Sequence, residues 1–222
     1  MSSLRLVLFD VDGVLLDSLT PHLRICEDKS REYGLGLKIP SASQFKEMVR
    51  MGIRISPMNY FFLAVGFPED LAAKAYLEYQ RIFMDAYAPA PFPSVHWMLK
   101  SLHDAGFQMG IVTSNFRANV VKALGSSIEF FHPDCIYSKD SIPGASKAEA
   151  IASAMAKLKV SPKETIFVGD QPADWEAAKS AGVNFLGVTY GWGISAEDKE
   201  FPTVGEVSEI YRYISQRAVC TT

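Results

Sequence analysis

Five short apolar runs, most of them stopping at a polar cluster, constrain this chain more than any other feature. Leu4–Phe9 (LRLVLF) leads into Asp10, Asp12 and Gly13, and Phe107–Val112 leads into Thr113-Ser114-Asn115. Thr165–Val168 leads into Gly169-Asp170, Asn184–Thr189 into Tyr190-Gly191, and Cys135–Tyr137 is a shorter run of the same kind. Runs this short and this rich in strand formers read as strands buried on both faces. Helical patterns separate the later ones: Ser94–Ala105 stopped by Gly106, Arg117–Leu124 stopped by Gly125, Lys147–Leu158, and Asp174–Ala181 stopped by Gly182. Strands alternating with helices predict an α/β fold, a doubly wound parallel sheet with helices on both faces. Ligands of such sheets bind beyond the carboxyl ends of the strands, where the polar clusters fall.

One stretch breaks the alternation. From Ser18 to Ala88 the periodicity is helical and no strand is evident, Glu69–Tyr87 being the clearest helix. Pro89-Ala90-Pro91-Phe92-Pro93 closes it with a run too rich in proline to continue a helix. The expected organisation is therefore a core made of residues 1–17 and 89–222 with a helical insert at 18–88, hinged near Leu16–Pro21 and Ala88–Ser94. Val219–Thr222 reads as a frayed end.

Composition narrows the function classes. Hydrophobic residues make up 48% of the 222, enough to bury a sizeable core, and the net charge of −3 offers no general attraction to nucleic acid or an anionic membrane. The apolar runs are too short to span a bilayer and no charged-then-apolar leader opens the sequence, so the expectation is a cytoplasmic protein without membrane or nucleic-acid partners. Cys26, Cys135 and Cys220 are odd in number and lack CxxC spacing, which reads as three reduced thiols. Monomer and homodimer are both open.

The chemistry lies in the strand-end clusters. Asp10 and Asp12 can approach one small site; the DxDG pattern also occurs in calcium loops, but Val14, Leu15 and Leu16 follow where further oxygen ligands would be needed. Asp170 ends a second apolar strand, and two such acids side by side carry unpaired negative charge unless a cation joins them. A hard divalent ion with oxygen ligands, Mg2+, meets that need. Asp174 is placed either as a cap of the next helix alone or as a further acid of the site. Thr113-Ser114-Asn115 offers a hydroxyl and successive backbone amides suited to a phosphate oxygen, the alternative being a polar strand-to-helix turn. Lys147 opens a helix, where a cation is poorly placed against the helix dipole, which suggests use; Lys139 competes with it for the role. No GxxxxGK[ST] loop is present, so these groups do not make a nucleotide P-loop.

Taken in order, the clusters resemble the haloacid dehalogenase superfamily over almost the whole chain. Asp10-Val11-Asp12-Gly13-Val14-Leu15-Leu16-Asp17-Ser18 is similar to its first motif, Thr113 to its second, Lys147 to its third, and Gly169-Asp170 through Asp174 to its fourth; Gly187–Gly193 resembles the closing segment of phosphoglycolate-phosphatase-like members. The resemblance implies a helical cap in residues 18–88 and a small phosphorylated substrate. Asp10 would be the nucleophile forming an aspartyl-phosphate, and Asp12 would protonate the leaving oxygen and then deprotonate water. Thr113 and Lys147 would hold phosphoryl oxygens. Mg2+ would be bound by Asp10, the Asp12 carbonyl and Asp170, with Asp174 arranging its water. Gln171-Pro172 departs from the family pattern, where serine commonly follows the Gly-Asp pair, and this puts the role of Asp174 in question.

Asp12 disfavours dehalogenation, since a halide leaves without a proton. A phosphomutase of the same fold stays open: His22 stands near the entry of the cap, as in sugar-phosphate mutases and also in many phosphatases. The family's phosphonate hydrolase, which uses a cap lysine as a Schiff base, keeps Lys29, Lys38, Lys46 and Lys74 formally in play. Arg50 and Arg54 flank Gly52 in the insert and suit either a substrate carboxylate or phosphate, or a solvated helix face. With Ser114, Asn115 and His22 they are the candidate substrate-binding residues. A signalling receiver module would be shorter and lack the insert. A silent binding protein on this scaffold is the remaining alternative.

Overall fold

The computed structural model describes residues 3–141 and 144–218. The chain divides into two compact units, one made of Met1–Leu16 with Ala90–Thr222 and the other of Asp17–Pro89. Cys220 and Val219–Thr222 lie outside the described residues.

The first unit is built on a six-stranded sheet. β1 is Leu6–Phe9. Between it and the next long strand come β2 (Leu16–Asp17), the four helices of the second unit, β3 (Ala90–Pro91) and the helix Val95–Asp104; β2 and β3 form a small sheet of their own. The main sheet continues with β4 (Gln108–Val112), β5 (Ile136–Tyr137), β6 (Thr165–Gly169), β7 (Asn184–Val188) and β8 (Thr203–Val204), in the spatial order β5-β4-β1-β6-β7-β8. All the pairings are parallel. This is the doubly wound sheet that the alternation predicts. Five strands were legible; the sixth, β8, is two residues between Pro202 and Gly205, too short for a pattern to register. The helix Val207–Ala218 was likewise not read from the sequence.

β1 is central, and its register fixes the site. Leu6 pairs with Gln108 on one side and Thr165 on the other, and Phe9 pairs with Ile111 and Val168. Asp10, Thr113 and Asp170, each just past its strand, therefore emerge together where the strand order reverses, the crevice in which such sheets bind ligands. The alternation of β1 serves two cores. Val7 and Phe9 pack with Met98, Leu99, Ile210 and Ile214 on one face, while Leu6 and Leu8 pack with Ile151, Met155, Phe167 and Ala178 on the other. Each such side chain contributes about 1.5–3 kcal/mol on burial, enough to hold the strand ends in place.

The second unit is helical: α1 (Leu19–Glu32), α2 (Ala42–Arg50), α3 (Met58–Ala64) and α4 (Glu69–Ala86). The remaining helices, in the first unit, are α5 (Val95–Asp104), α6 (Arg117–Leu124), α7 (Lys147–Leu158), α8 (Pro172–Ala181) and α9 (Val207–Ala218). Ser41 and Gln44 form a capping box that starts α2. Phe45, Phe61, Phe62 and Phe83 supply the aromatic interior of the second unit. Lys29 of α1 is buried and reaches Glu32 at 2.7 Å and Glu78 of α4, which also accepts a bond from Tyr33 at 2.9 Å. Two carboxylates hold that ammonium in its charged form, so Lys29 is not the free amine that a Schiff base requires. Among the described residues no helix is long and apolar enough to cross a membrane.

Candidate active site

Asp10 is almost fully buried at the end of β1. Its Oδ1 accepts the N–H of Val11 at 2.8 Å, and its Oδ2 accepts from Lys147 Nζ at 2.7 Å. Lys147 is the first residue of α7, whose start is fixed by the Ser146–Glu149 capping box. The same Nζ lies 2.6 Å from Asp174 Oδ1. Lys139, the competing lysine, instead lies over the ring of Phe116, 5.0 Å from its centroid. Asp174 sits in the first turn of α8, and its Oδ2 accepts the N–H groups of Asp170 and Gln171, each at 3.1 Å. It thus caps the helix with one oxygen and pairs Lys147 with the other.

Asp170 is completely buried. Oδ2 accepts the N–H of Trp192 at 2.7 Å, while Oδ1 has no hydrogen-bond partner among the described residues. The backbone carbonyl of Asp170 accepts from Gly193 at 3.0 Å and Ile194 at 2.9 Å, so the loop after β7 grips this residue at both ends. Glycine makes the grip close enough. A Cβ at Gly191 would overlap the Asp170 Cβ, and one at Gly13, where φ is +81°, would overlap the Asp170 carboxylate. Backbone donors have no residue signature, so the only trace of this support in the sequence is the glycine-rich run after β7.

Asp10, Asp170 and Asp174 each offer a carboxylate oxygen within 4.8 Å of the other two. Burial raises the pKa of Asp10 to about 6; Lys147 opposes the rise and the Asp174 charge adds to it. Asp170 is raised well above the usual carboxylate range, by burial first and then by the charges of Asp174 and Asp10. Burial works against the Lys147 ammonium, but Asp10 and Asp174 together hold its pKa above the ordinary lysine value. Three carboxylates face one ammonium, and one buried oxygen is orphaned. A hard cation with oxygen ligands fits this donor set.

Asp12 lies in the tight turn after β1, in which Val14, Leu15 and Leu16 donate to the Val11 carbonyl. Its Oδ2 accepts from Asn115 Nδ2 at 3.0 Å, and its Oδ1 is buried without a partner among the described residues. Thr113 is buried, its Oγ1 accepting the Asn115 N–H at 3.2 Å, and Ser114 is exposed beside it. Asp10, Asp12, Thr113, Ser114, Asn115, Lys147, Asp170 and Asp174 all belong to the first unit.

His22, Arg50 and Arg54 belong to the second unit. His22 is buried, its ring centroid 4.5 Å from that of Phe83. Nδ1 bonds the Ser18 carbonyl, which can only accept, so Nδ1 donates, and Nε2 shares a hydrogen bond with Tyr79 Oη at 3.1 Å. Arg50 pairs with Glu47 at 3.2 Å. Arg54 lies over the Tyr60 ring, 3.7 Å from its centroid, and donates to the Ser56 carbonyl at 3.1 Å.

The sequence model of the haloacid dehalogenase-like hydrolase family matches residues 7–188, from β1 to the end of β7. A phosphoglycolate phosphatase of Vibrio parahaemolyticus is 29% identical, with 97% of this chain and 98% of that protein covered. A phosphoglycolate phosphatase of Vibrio vulnificus is 30% identical over 89% of this chain and 91% of its own length. Among solved structures, a haloacid dehalogenase-like hydrolase of Streptococcus pneumoniae superposes with a TM-score of 0.76 at 23% identity, covering 96% of this chain and 99% of that one.

Proposed function

This chain belongs to the haloacid dehalogenase-like hydrolases, and we propose that within that family it is a phosphatase of small phosphorylated metabolites. Phosphoglycolate is the first ester to try, since relatives covered over nearly their whole length carry that name. The observation that carries the reading is Asp10 itself: a buried carboxylate at the switch point of the sheet, charge-compensated by Lys147. In this reading Asp10 attacks phosphorus as the ester P–O bond breaks, and the departing oxygen takes a proton from Asp12. Water then attacks the aspartyl-phosphate, Asp12 takes its proton, and the bond from phosphorus to Asp10 breaks. Thr113 and Lys147 hold the phosphoryl oxygens, and Lys147 offsets the charge around Asp10. Asp10, the Asp12 carbonyl, Asp170 and Asp174 would hold Mg2+. Bound there, the ion supplies positive charge against the phosphoryl oxygens. The insert, residues 18–88, is assigned the choice among esters.

The test is phosphate release from a panel of esters, phosphoglycolate, hexose and pentose phosphates, nucleotides and pyrophosphate among them, with Mg2+ and with chelator. Release that requires Mg2+ and disappears in folded Asp10→Asn is expected. No release from any ester overturns the reading, and interconversion of sugar phosphates without net release replaces it with a mutase.

A further inference from the structure

We propose that Lys139 reads a second anionic group on the substrate, a carboxylate or a second phosphate close to the ester that is cleaved. The inference rests on the phosphatase reading, and it adds a selecting residue of the first unit to the choice assigned to the insert. Lys147, bonded to Asp10 and Asp174, is committed to the reacting centre. An anion further along the substrate needs a cation of its own. In the segments that follow β4, β5 and β7 the other described cations are Arg117, Lys139 and Lys199. Arg117 turns its guanidinium back onto the carbonyls of Ile136 at 3.2 Å and Pro133 at 3.3 Å. Lys199 stands between Asp198 and Glu200 in the loop toward β8, the edge of the sheet opposite β5. Lys139 is the remaining cation, and it is exposed.

The backbone places Lys139 beside the site. The β4–β5 ladder runs on past the strands: the Thr113 N–H donates to the Tyr137 carbonyl and the Lys139 N–H to the Asn115 carbonyl, each at 2.9 Å. Asn115 in turn donates from Nδ2 to Asp12 Oδ2 at 3.0 Å, so one residue separates Lys139 from the turn after β1. Lys139 Nζ lies 5.0 Å from the centroid of Phe116, an exposed ring at the end of β4. The side chain thus leans from the β5 end onto the β4 end, inward along the strand order β5-β4-β1. Neighbouring strands lie about 4.8 Å apart, so β5 stands about 10 Å from β1. The four-carbon lysine stem spans much of that interval, and a substrate whose second charge sits one or two carbons beyond the phosphate spans the rest. The aromatic face steadies the ammonium without neutralising it, since a ring offers only its quadrupole, whereas a carboxylate or phosphate offers a full charge. Asp140, next to Lys139 in sequence, accepts the Arg117 N–H at 2.9 Å and is tied to the start of α6.

Esters matched except for the second charge give the test. kcat/KM is measured for phosphoglycolate against 2-hydroxyethyl phosphate, in which a hydroxymethyl group replaces the carboxylate, and for a hexose bisphosphate against its monophosphate. Wild type, Lys139→Gln and Lys139→Arg are compared, and the exposed position lets both variants fold. Wild type is expected to prefer the charged member of at least one pair, the first pair identifying a carboxylate and the second a phosphate. Lys139→Gln is expected to lower that preference at least about tenfold, through KM, while Lys139→Arg keeps most of it. A preference unchanged in Lys139→Gln overturns the proposal, as does an equal loss on both members of a pair, which would assign Lys139 to folding or to the general field of the site. Equal losses of preference in Lys139→Gln and Lys139→Arg overturn it too, since charge would not be what is read. A wild type that hydrolyses esters of the panel without favouring the charged member of either pair overturns the proposal and leaves the phosphatase reading standing. A wild type that hydrolyses no ester removes that reading and this inference with it.

Discussion

Asp170 and Asp174 show how two acids of one short motif divide their work. Both oxygens of Asp174 are engaged, one by Lys147 and the other by two backbone N–H groups, whereas Asp170 keeps a buried oxygen without a partner. Asp170→Asn is accordingly expected to weaken Mg2+ binding at least about tenfold, and Asp174→Asn by a smaller factor, with calorimetric Mg2+ titration as the measurement. The reverse order would make Asp174 the stronger ligand. Much of this was legible in the sequence, because an acid that ends an apolar run has few inexpensive explanations. Lys147 was legible by its unfavourable place at a helix N-terminus. The partner of Asn115 was not: Asp12 is more than a hundred positions away, and only the register of β1 with β4 brings the two strand ends level.

At the scale of elements, the loop between β7 and β8 acts as a brace for the end of β6. Tyr190 Oη donates to the Val14 carbonyl at 2.9 Å, and the Trp192 N–H donates to Asp170, so one loop secures both the turn that bears Asp12 and the buried acid. Gly191→Ala, whose methyl would collide with Asp170, should cost about 1–3 kcal/mol of stability and lower Mg2+ affinity. Gly205→Ala, where the nearest side-chain atom to an added Cβ is 3.6 Å away, should change neither in thermal melting or calorimetry. The second unit offers a test of its own in the pair of helices α1 and α4. The pKa of Glu78 is lowered, chiefly by the hydrogen bond from Lys29, with Tyr33 adding to it. A depressed carboxylate stabilises the fold above its unfolded pKa and loses that contribution as pH falls through the folded value. Glu78→Gln should therefore melt below wild type at about pH 7, with the gap closing as the pH falls below the ordinary glutamate range. Parallel melting curves would show that the pair is not thermodynamically linked. The helices of this unit were readable as periodicity, but the salt-bridged network inside it was not, since a lysine at position 29 looks the same in sequence whether buried or solvated.

For the molecule as a whole, the excess of buried negative charge in the first unit sets the response to metal. Three carboxylates held together against one ammonium destabilise the folded state, and an ion that binds only the folded form stabilises it by mass action. At a hundredfold excess over its Kd, Mg2+ is expected to add about 2.7 kcal/mol, a rise in melting temperature of about 5–10 °C in differential scanning fluorimetry. No rise at saturating Mg2+ would show that the cluster binds no such ion. The order of strands carries one further consequence, for how the protein is made. β1 is the central strand, yet its partners are Gln108–Val112 and Thr165–Gly169, while Asp17–Pro89 is a continuous and self-contained stretch. On a ribosome adding about 5–20 residues per second, the helical insert is synthesised whole before either neighbour of β1. β1 leaves the tunnel before either of its sheet neighbours and must wait for them, apolar on both faces, so the segment bearing Asp10 needs protection during translation.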